Sequence, residues 1–291
     1  MISTEVNPTL ADQLRELRLP AFRDNYEPLA RQAEQETLSY EQYLQELAIR
    51  ECETRRVNRI ETMLRQSKLP LEKTLESFDM KRLGTKLSRQ VRSLTDGQFV
   101  DRCENVLAFG KPGSGKTHLL AGLSLDLVRQ GRRVYFSPCS LLVQELLVAK
   151  RDLKLSRVLK RLGRFDVTMI DDIGYVQQSR EEMEVLFTLL AERYERGSVM
   201  LTSNLPFSKW ETIFKDPMTT AAAIDRLVHH SVILELNLPS FRLESAKQSK
   251  DSESDSRSQS TSKISSKASS SKPKKKTTSI SALDISGREQ S

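Results

Sequence analysis

Gly110-Lys111-Pro112-Gly113-Ser114-Gly115-Lys116-Thr117 is the stretch on which the fold turns. It matches G-x-x-x-x-G-K-[ST], in which glycines let the backbone wrap phosphate oxygens. The apolar run Val106–Phe109 precedes it, and a helical pattern follows from Gly115 to Gln130. A short buried strand, a tight loop and a helix start are what the motif needs, because N–H groups at a helix N-terminus point at anions. In this arrangement Lys116 reaches the β- and γ-phosphates and the Thr117 hydroxyl holds a magnesium ion. The expectation is a site for a nucleoside triphosphate, ATP with Mg²⁺, along residues 110–117.

Outward from the loop, short apolar runs alternate with amphipathic stretches. Val134–Phe136 precedes a helix near Leu141–Lys150, and Val167–Ile170 precedes a helix over Glu181–Glu195. Val199–Thr202 and Val232–Leu236 complete the runs, while Gly131, Gly163 and Gly197 each stand just before a strand. The pattern predicts an α/β fold, a parallel sheet flanked by helices on both faces. Asp171-Asp172 ends the run Val167–Ile170. Carboxylates are seldom buried unpaired, so the pair reads as chemistry, with an Asp-rich turn as the alternative. Asp171 is the metal-side group, and Asp172 orients or deprotonates a water.

The chain has 291 residues and a net charge of +7, of which the segment 246–291 supplies +5. Sixteen of those 46 residues are serine, and a segment so poor in large apolar side chains is expected to be disordered. The expected organisation is a small helical domain over 1–75, the α/β domain over 76–245 and the tail 246–291. Within the first, Leu10, Leu14 and Leu17 share a helical face that ends at Leu19-Pro20. A second helix follows from Tyr26, and Ser39 caps a third that runs to Leu64. Cys52, Cys103 and Cys139 form neither a C-x-x-C pair nor a disulfide framework. With no signal peptide or membrane-length apolar run, a soluble cytoplasmic protein with no membrane partner is expected.

Between the two motifs lie Lys150, Arg151, Lys154, Arg157, Lys160, Arg161 and Arg164, opposed locally only by Asp152. At 150/154/157/161 four of them would share one helical face and could follow a DNA phosphate backbone, largely independent of sequence. The alternative is a solvated basic helix. A weaker version of the argument applies to Arg50–Lys68, and Lys274-Lys275-Lys276 reads as a solvated tail run.

Several segments together resemble the AAA+ ATPases of the IstB type, the transposition helpers related to DnaC helicase loaders. They are Leu14-Arg15-Glu16-Leu17-Arg18-Leu19-Pro20, Thr74-Leu75-Glu76-Ser77-Phe78-Asp79 and Gly115-Lys116-Thr117-His118-Leu119. Ile170-Asp171-Asp172-Ile173-Gly174-Tyr175, Leu201-Thr202-Ser203-Asn204 and Asp225-Arg226-Leu227 with His229-His230 continue the pattern. The resemblance implies an ATPase that self-associates into a ring or filament on DNA and assists a transposase. It places His118 with the nucleotide loop, makes Asn204 the sensor asparagine and Arg226 the arginine finger for a neighbouring subunit, and aligns Arg242 loosely with a second sensor. It turns the basic stretch toward a DNA-facing interior. The family class often has Glu where Asp172 stands, which puts the position of the water-activating carboxylate in question. A helicase loader and a weakly hydrolysing nucleotide-binding scaffold are the alternative functions.

Overall fold

Five parallel strands form the sheet of this computed structural model, which describes residues 9–174, 179–210 and 217–241. They are β1 (Asn105–Gly110), β2 (Val134–Pro138), β3 (Val167–Ile173), β4 (Ser198–Ser203) and β5 (Ser231–Leu236), in spatial order β2-β3-β4-β1-β5. Val106 of β1 lies opposite both Met200 of β4 and Val232 of β5. Side chains alternate across a strand, so each strand feeds two cores. Val106, Ala108, Met169 and Met200 face one, whereas Leu107, Ile170 and Leu201 face the other.

The first core is closed by α4 (Thr85–Leu94), α5 (Gln98–Asp101) and α6 (Lys116–Arg129). The second is closed by α7 (Cys139–Arg151), α8 (Leu155–Leu162), α9 (Arg180–Arg193) and α10 (Pro217–Val228). Strand–helix alternation and burial on both faces agree with the sequence-based expectation. Helices α4, α5 and α10 are additions to it. The first two are only 10 and 4 residues long, too short for their periodicity to stand out from a linker.

The chain begins with α1 (Leu10–Glu16), α2 (Pro20–Glu36) and α3 (Tyr40–Ser67). Ser39 caps α3 through a full capping box with Gln42, as its position predicts. Two expectations are corrected. Pro20 opens α2 instead of only closing α1, because proline suits the first helical position, where its missing N–H is not needed. Of the leucine face on α1 only Leu14 is buried, while Leu10 and Leu17 are exposed. Helix α2 lacks a side-chain cap of its own, and the buried carboxylate of Glu51 on α3 accepts from Ala21 N at 2.8 Å instead. The end of α3 joins the first core through Met63, with Leu69 just beyond it, and Lys68 Nζ stands 5.3 Å from the Tyr135 ring centroid. No described helix is long and apolar enough to cross a membrane. Arg242 and the segment 246–291 lie outside the described residues.

A buried arginine ties the end of α8 to the starts of β3 and β4. Arg193, at the end of α9, donates to the carbonyls of Leu162, Phe165, Asp166 and Ser198 at 2.7–3.3 Å. Burial pushes its guanidinium down to about 10, opposed by the charges of Asp166 and Cys103. Gly197 leaves room for it: a Cβ at that position would lie 2.8 Å from Arg193 Cζ. Gly197→Ala is therefore expected to cost about 1–3 kcal/mol through overpacking. Urea unfolding measures this, and an unchanged midpoint would contradict the packing argument.

Candidate functional site

The loop 110–117 runs from the end of β1 into the first turn of α6. Gly113 and Gly115 hold φ of 78° and 93°, a region that side-chain-bearing residues adopt only with strain. Each also meets a neighbour where a Cβ would stand: the Ser240 side chain at Gly113, and Phe78 Cε2 at 2.9 Å from that of Gly115. Lys116 is buried, and its Nζ donates to the carbonyls of Gly110 and Lys111 at 2.9 and 3.0 Å. The ammonium is thus drawn back over the loop, inside the concavity that it rims. Ser114 Oγ is buried with no hydrogen-bond partner among the described residues, an unmet polar atom in the same loop.

The sheet carries the second motif to the same end. Between β1 and β3 lies β4, so the carboxyl ends of all three strands converge. Thr117 Oγ1 donates to Asp171 Oδ1 at 2.8 Å, and Thr202 Oγ1 donates to the same oxygen at 2.6 Å. Thr202 Oγ1 in turn accepts from the backbone N–H of Asp172 at 2.7 Å. The register of β3 on β4 shifts between Ile170 and Ile173, and Asp172 sits there with a φ of 65°. This bulge turns the two adjacent carboxylates apart: Asp171 is half-buried against Thr117, and Asp172 is exposed. A hydroxyl and a carboxylate oxygen side by side are hard donors suited to Mg²⁺. Asn204 follows β4 directly, and its Oδ1 is buried without a partner among the described residues.

Thr202 is a residue whose role the sequence does not reveal, since a threonine ending a strand is ordinary until its neighbour is known. The same holds for the segment over the loop. His118 Nε2 lies 2.9 Å from Ser77 Oγ and 3.0 Å from the Thr74 carbonyl, and its ring meets Phe78 edge-on with centroids 5.4 Å apart. At the loop's other side Phe241 N donates to the Gly113 carbonyl at 3.0 Å. His118 thus holds the 74–78 segment beside the nucleotide loop.

Arg226 stands at the far end of the sheet. Asn105, the first residue of β1, donates from Nδ2 to the carbonyls of Arg226 and Leu227 at 3.5 and 3.0 Å. The loop lies beyond the other end of that strand, roughly 15–20 Å away at the usual rise per residue. Arg226 therefore serves no phosphate at its own loop. Its guanidinium carbon lies 4.5 Å from the Phe187 ring centroid, its Nη1 is buried without a partner among the described residues, and no described ion pair joins it to Asp225.

The basic stretch is corrected. Helix α7 ends at Arg151 and α8 begins at Leu155, with Leu153 in the left-handed region between them. Lys150, Lys154, Arg157 and Arg161 therefore do not share one helical face. The break arises because α8 turns Leu162 into the second core. Lys150 pairs with Glu184 at 2.8 Å, Lys154 with Asp152 at 3.3 Å, and Arg161 with Glu145. Arg151, Arg157, Lys160 and Arg164 are exposed and have no described ion pair.

A parallel sheet of this order, with a strand inserted between the loop strand and the carboxylate strand, defines the AAA+ class of P-loop fold. Among solved structures, DnaI matches with a TM-score of 0.50 at 20% identity, covering 58% of this chain and 95% of that one. AMPPCP-bound DnaA from Aquifex aeolicus matches with a TM-score of 0.50 at 18% identity, covering 62% and 55%. At such identities these likenesses show the fold alone. The chain belongs to the IstB-like ATP binding protein family, whose model matches residues 12–249. An insertion sequence ATP-binding protein of Sinorhizobium fredii is 40% identical over 83% of this chain and 81% of its own length. The ATP-binding protein of insertion sequence IS21 from Pseudomonas aeruginosa is 37% identical over 81% and 89%.

Proposed function

We propose that this protein is an ATPase that assembles on DNA, with ATP held between successive subunits, and assists the transposase of an insertion sequence. The observation that carries the reading is the shared oxygen of Asp171, on which the hydroxyls of Thr117 and Thr202 converge at the end of the P-loop. The names of the relatives, insertion-sequence ATP-binding proteins, favour transposition over helicase loading.

ATP with Mg²⁺ supplies the transferable phosphoryl group and a cation that offsets its charge. Residues 110–117 wrap the phosphates, and Lys116 swings from the loop carbonyls to the β- and γ-oxygens. Thr117 and Asp171 would hold the metal side. Asp172 accepts the proton of the attacking water, which Asn204 orients. His118 lets the 74–78 segment follow the occupancy of the loop, and so links it to the helical domain over residues 1–75. Arg226 reaches the γ-phosphate of a neighbouring subunit, which is consistent with its distance from its own loop. Domain limits at residues 75 and 245, and a second-sensor role for Arg242, belong to the same proposal.

Lys116→Ala tests it. Loss of ATP binding and of ATP-dependent assembly on duplex DNA is expected, and assembly that survived unchanged would overturn the mechanism. Measurable phosphate release by the unaltered protein separates an ATPase from a nucleotide-binding scaffold.

DNA contact is assigned to Lys150, Arg151, Lys154, Arg157, Lys160 and Arg161, with Arg151, Arg157 and Lys160, which have no described ion pair, leading. Replacing these three by alanine is expected to flatten the salt dependence of DNA binding by about 0.9 log units per lost phosphate contact. An unaltered slope would reduce the stretch to a solvated surface.

A further inference from the structure

We propose that Glu195, His229 and His230 form a binding site for a divalent transition metal of the zinc class. The three residues come from two turns at the amino end of the sheet, one after α9 and one after α10. One potential ligand atom from each lies within 4.8 Å of the others. Zn–N and Zn–O bonds of about 2.0–2.2 Å in a tetrahedral site place ligand atoms roughly 3.3–3.6 Å apart. Small side-chain rotations would close that gap, and all three residues are exposed.

The surroundings favour metal ligation over a chance meeting. Tyr194 Oη lies 3.0 Å from His229 Nδ1, which fixes that ring and leaves Nε2 for a ligand. Metal-bound histidines commonly carry such a hydrogen bond on the other nitrogen. The rings of His229 and His230 meet edge to face with centroids 4.2 Å apart, so both imidazoles occupy one small region. Glu195 has a φ of 58°, in the turn between α9 and β4. Two imidazoles with one carboxylate select Zn²⁺ or a neighbouring first-row ion over Mg²⁺ or Ca²⁺, which prefer all-oxygen shells. The remaining coordination positions fall to water.

A metal here would fasten the end of α10 to the end of α9. His229 lies less than one turn beyond Arg226, and Phe187 on α9 already carries the Arg226 guanidinium. Bound metal would therefore stiffen the face that presents Arg226, a consequence that rests on the arginine-finger reading. The metal site itself does not rest on it.

Binding of Zn²⁺ to the untagged full chain without nucleotide, measured by calorimetry, and the visible absorption of the Co²⁺ form test the proposal. One ion per chain is expected. His229→Ala and His230→Ala are each expected to weaken binding more than tenfold, and Tyr194→Phe about tenfold. Cys103→Ser is expected to leave it unchanged. His229 and His230 are exposed and Tyr194 and Cys103 half-buried, and circular dichroism is expected to show a folded chain in each case. Binding that persists undiminished in the doubly substituted His229→Ala/His230→Ala chain, or its loss in Cys103→Ser, would overturn the assignment. So would an absence of Zn²⁺ binding to the unaltered protein. Since nucleotide is absent, these outcomes are independent of Lys116→Ala.

Discussion

Arg226→Ala is expected to retain ATP binding and to lose about a thousandfold in turnover, the loss typical of a missing arginine finger. The side chain is at the opposite end of β1 from its own loop, so its removal leaves that loop intact. The fold loses only a stack on Phe187, about 0.5–2 kcal/mol. The decisive measurement mixes two inactive chains. Arg226→Ala binds nucleotide without donating a finger, and Lys116→Ala donates a finger without binding nucleotide. Mixed assemblies recover some of the phosphate release if the arginine acts on its neighbour. No recovery, with assembly confirmed, would remove the inter-subunit site.

Arg193→Met is expected to destabilise the chain by about 3–5 kcal/mol, close to the effect of breaking a buried charged network. Four backbone carbonyls lose their donor together, at the end of α8, the start of β3 and the start of β4. Methionine fills the volume but donates no hydrogen bond, so each carbonyl keeps its desolvation cost. For a unit of this size the melting midpoint should fall by about 10 °C. A shift within about 2 °C would mean that water or a rearranged loop satisfies those carbonyls. ATP binding at the other end of the sheet is expected to follow stability and show no separate defect.

The two residues differ in how far the sequence exposes them. Arg226 stands in a recognisable Asp-Arg-Leu segment, yet nothing in that segment says at which end of the sheet it lies. Arg193 ends an ordinary amphipathic helix, and its burial has no counterpart in the local pattern. Its partners are backbone carbonyls, which carry no residue-type signal. The basic stretch 150–164 shows the opposite error. A 3.6-residue period laid over it joins charges that a turn at Leu153 separates, because that turn answers to the burial of Leu162 and not to the charges.

By itself the sequence determined the strand–loop–helix unit at 106–130, the alternation of strands and helices, the capped long helix from Ser39, and the placing of Lys116 and Thr117 at a helix start and of Asp171 and Asp172 at a strand end. These follow from local properties: apolar period, glycine placement and the residue types that phosphate and metal demand. Tertiary structure alone decided that β4 inserts between β1 and β3 and so brings Thr202 onto Asp171. It likewise decided that a bulge turns Asp172 away from Asp171, that His118 is held by residues 74–77, and that Arg226 faces away from its own loop. Each of these depends on contacts between residues far apart in the chain, whose register is set by packing on both faces of the sheet.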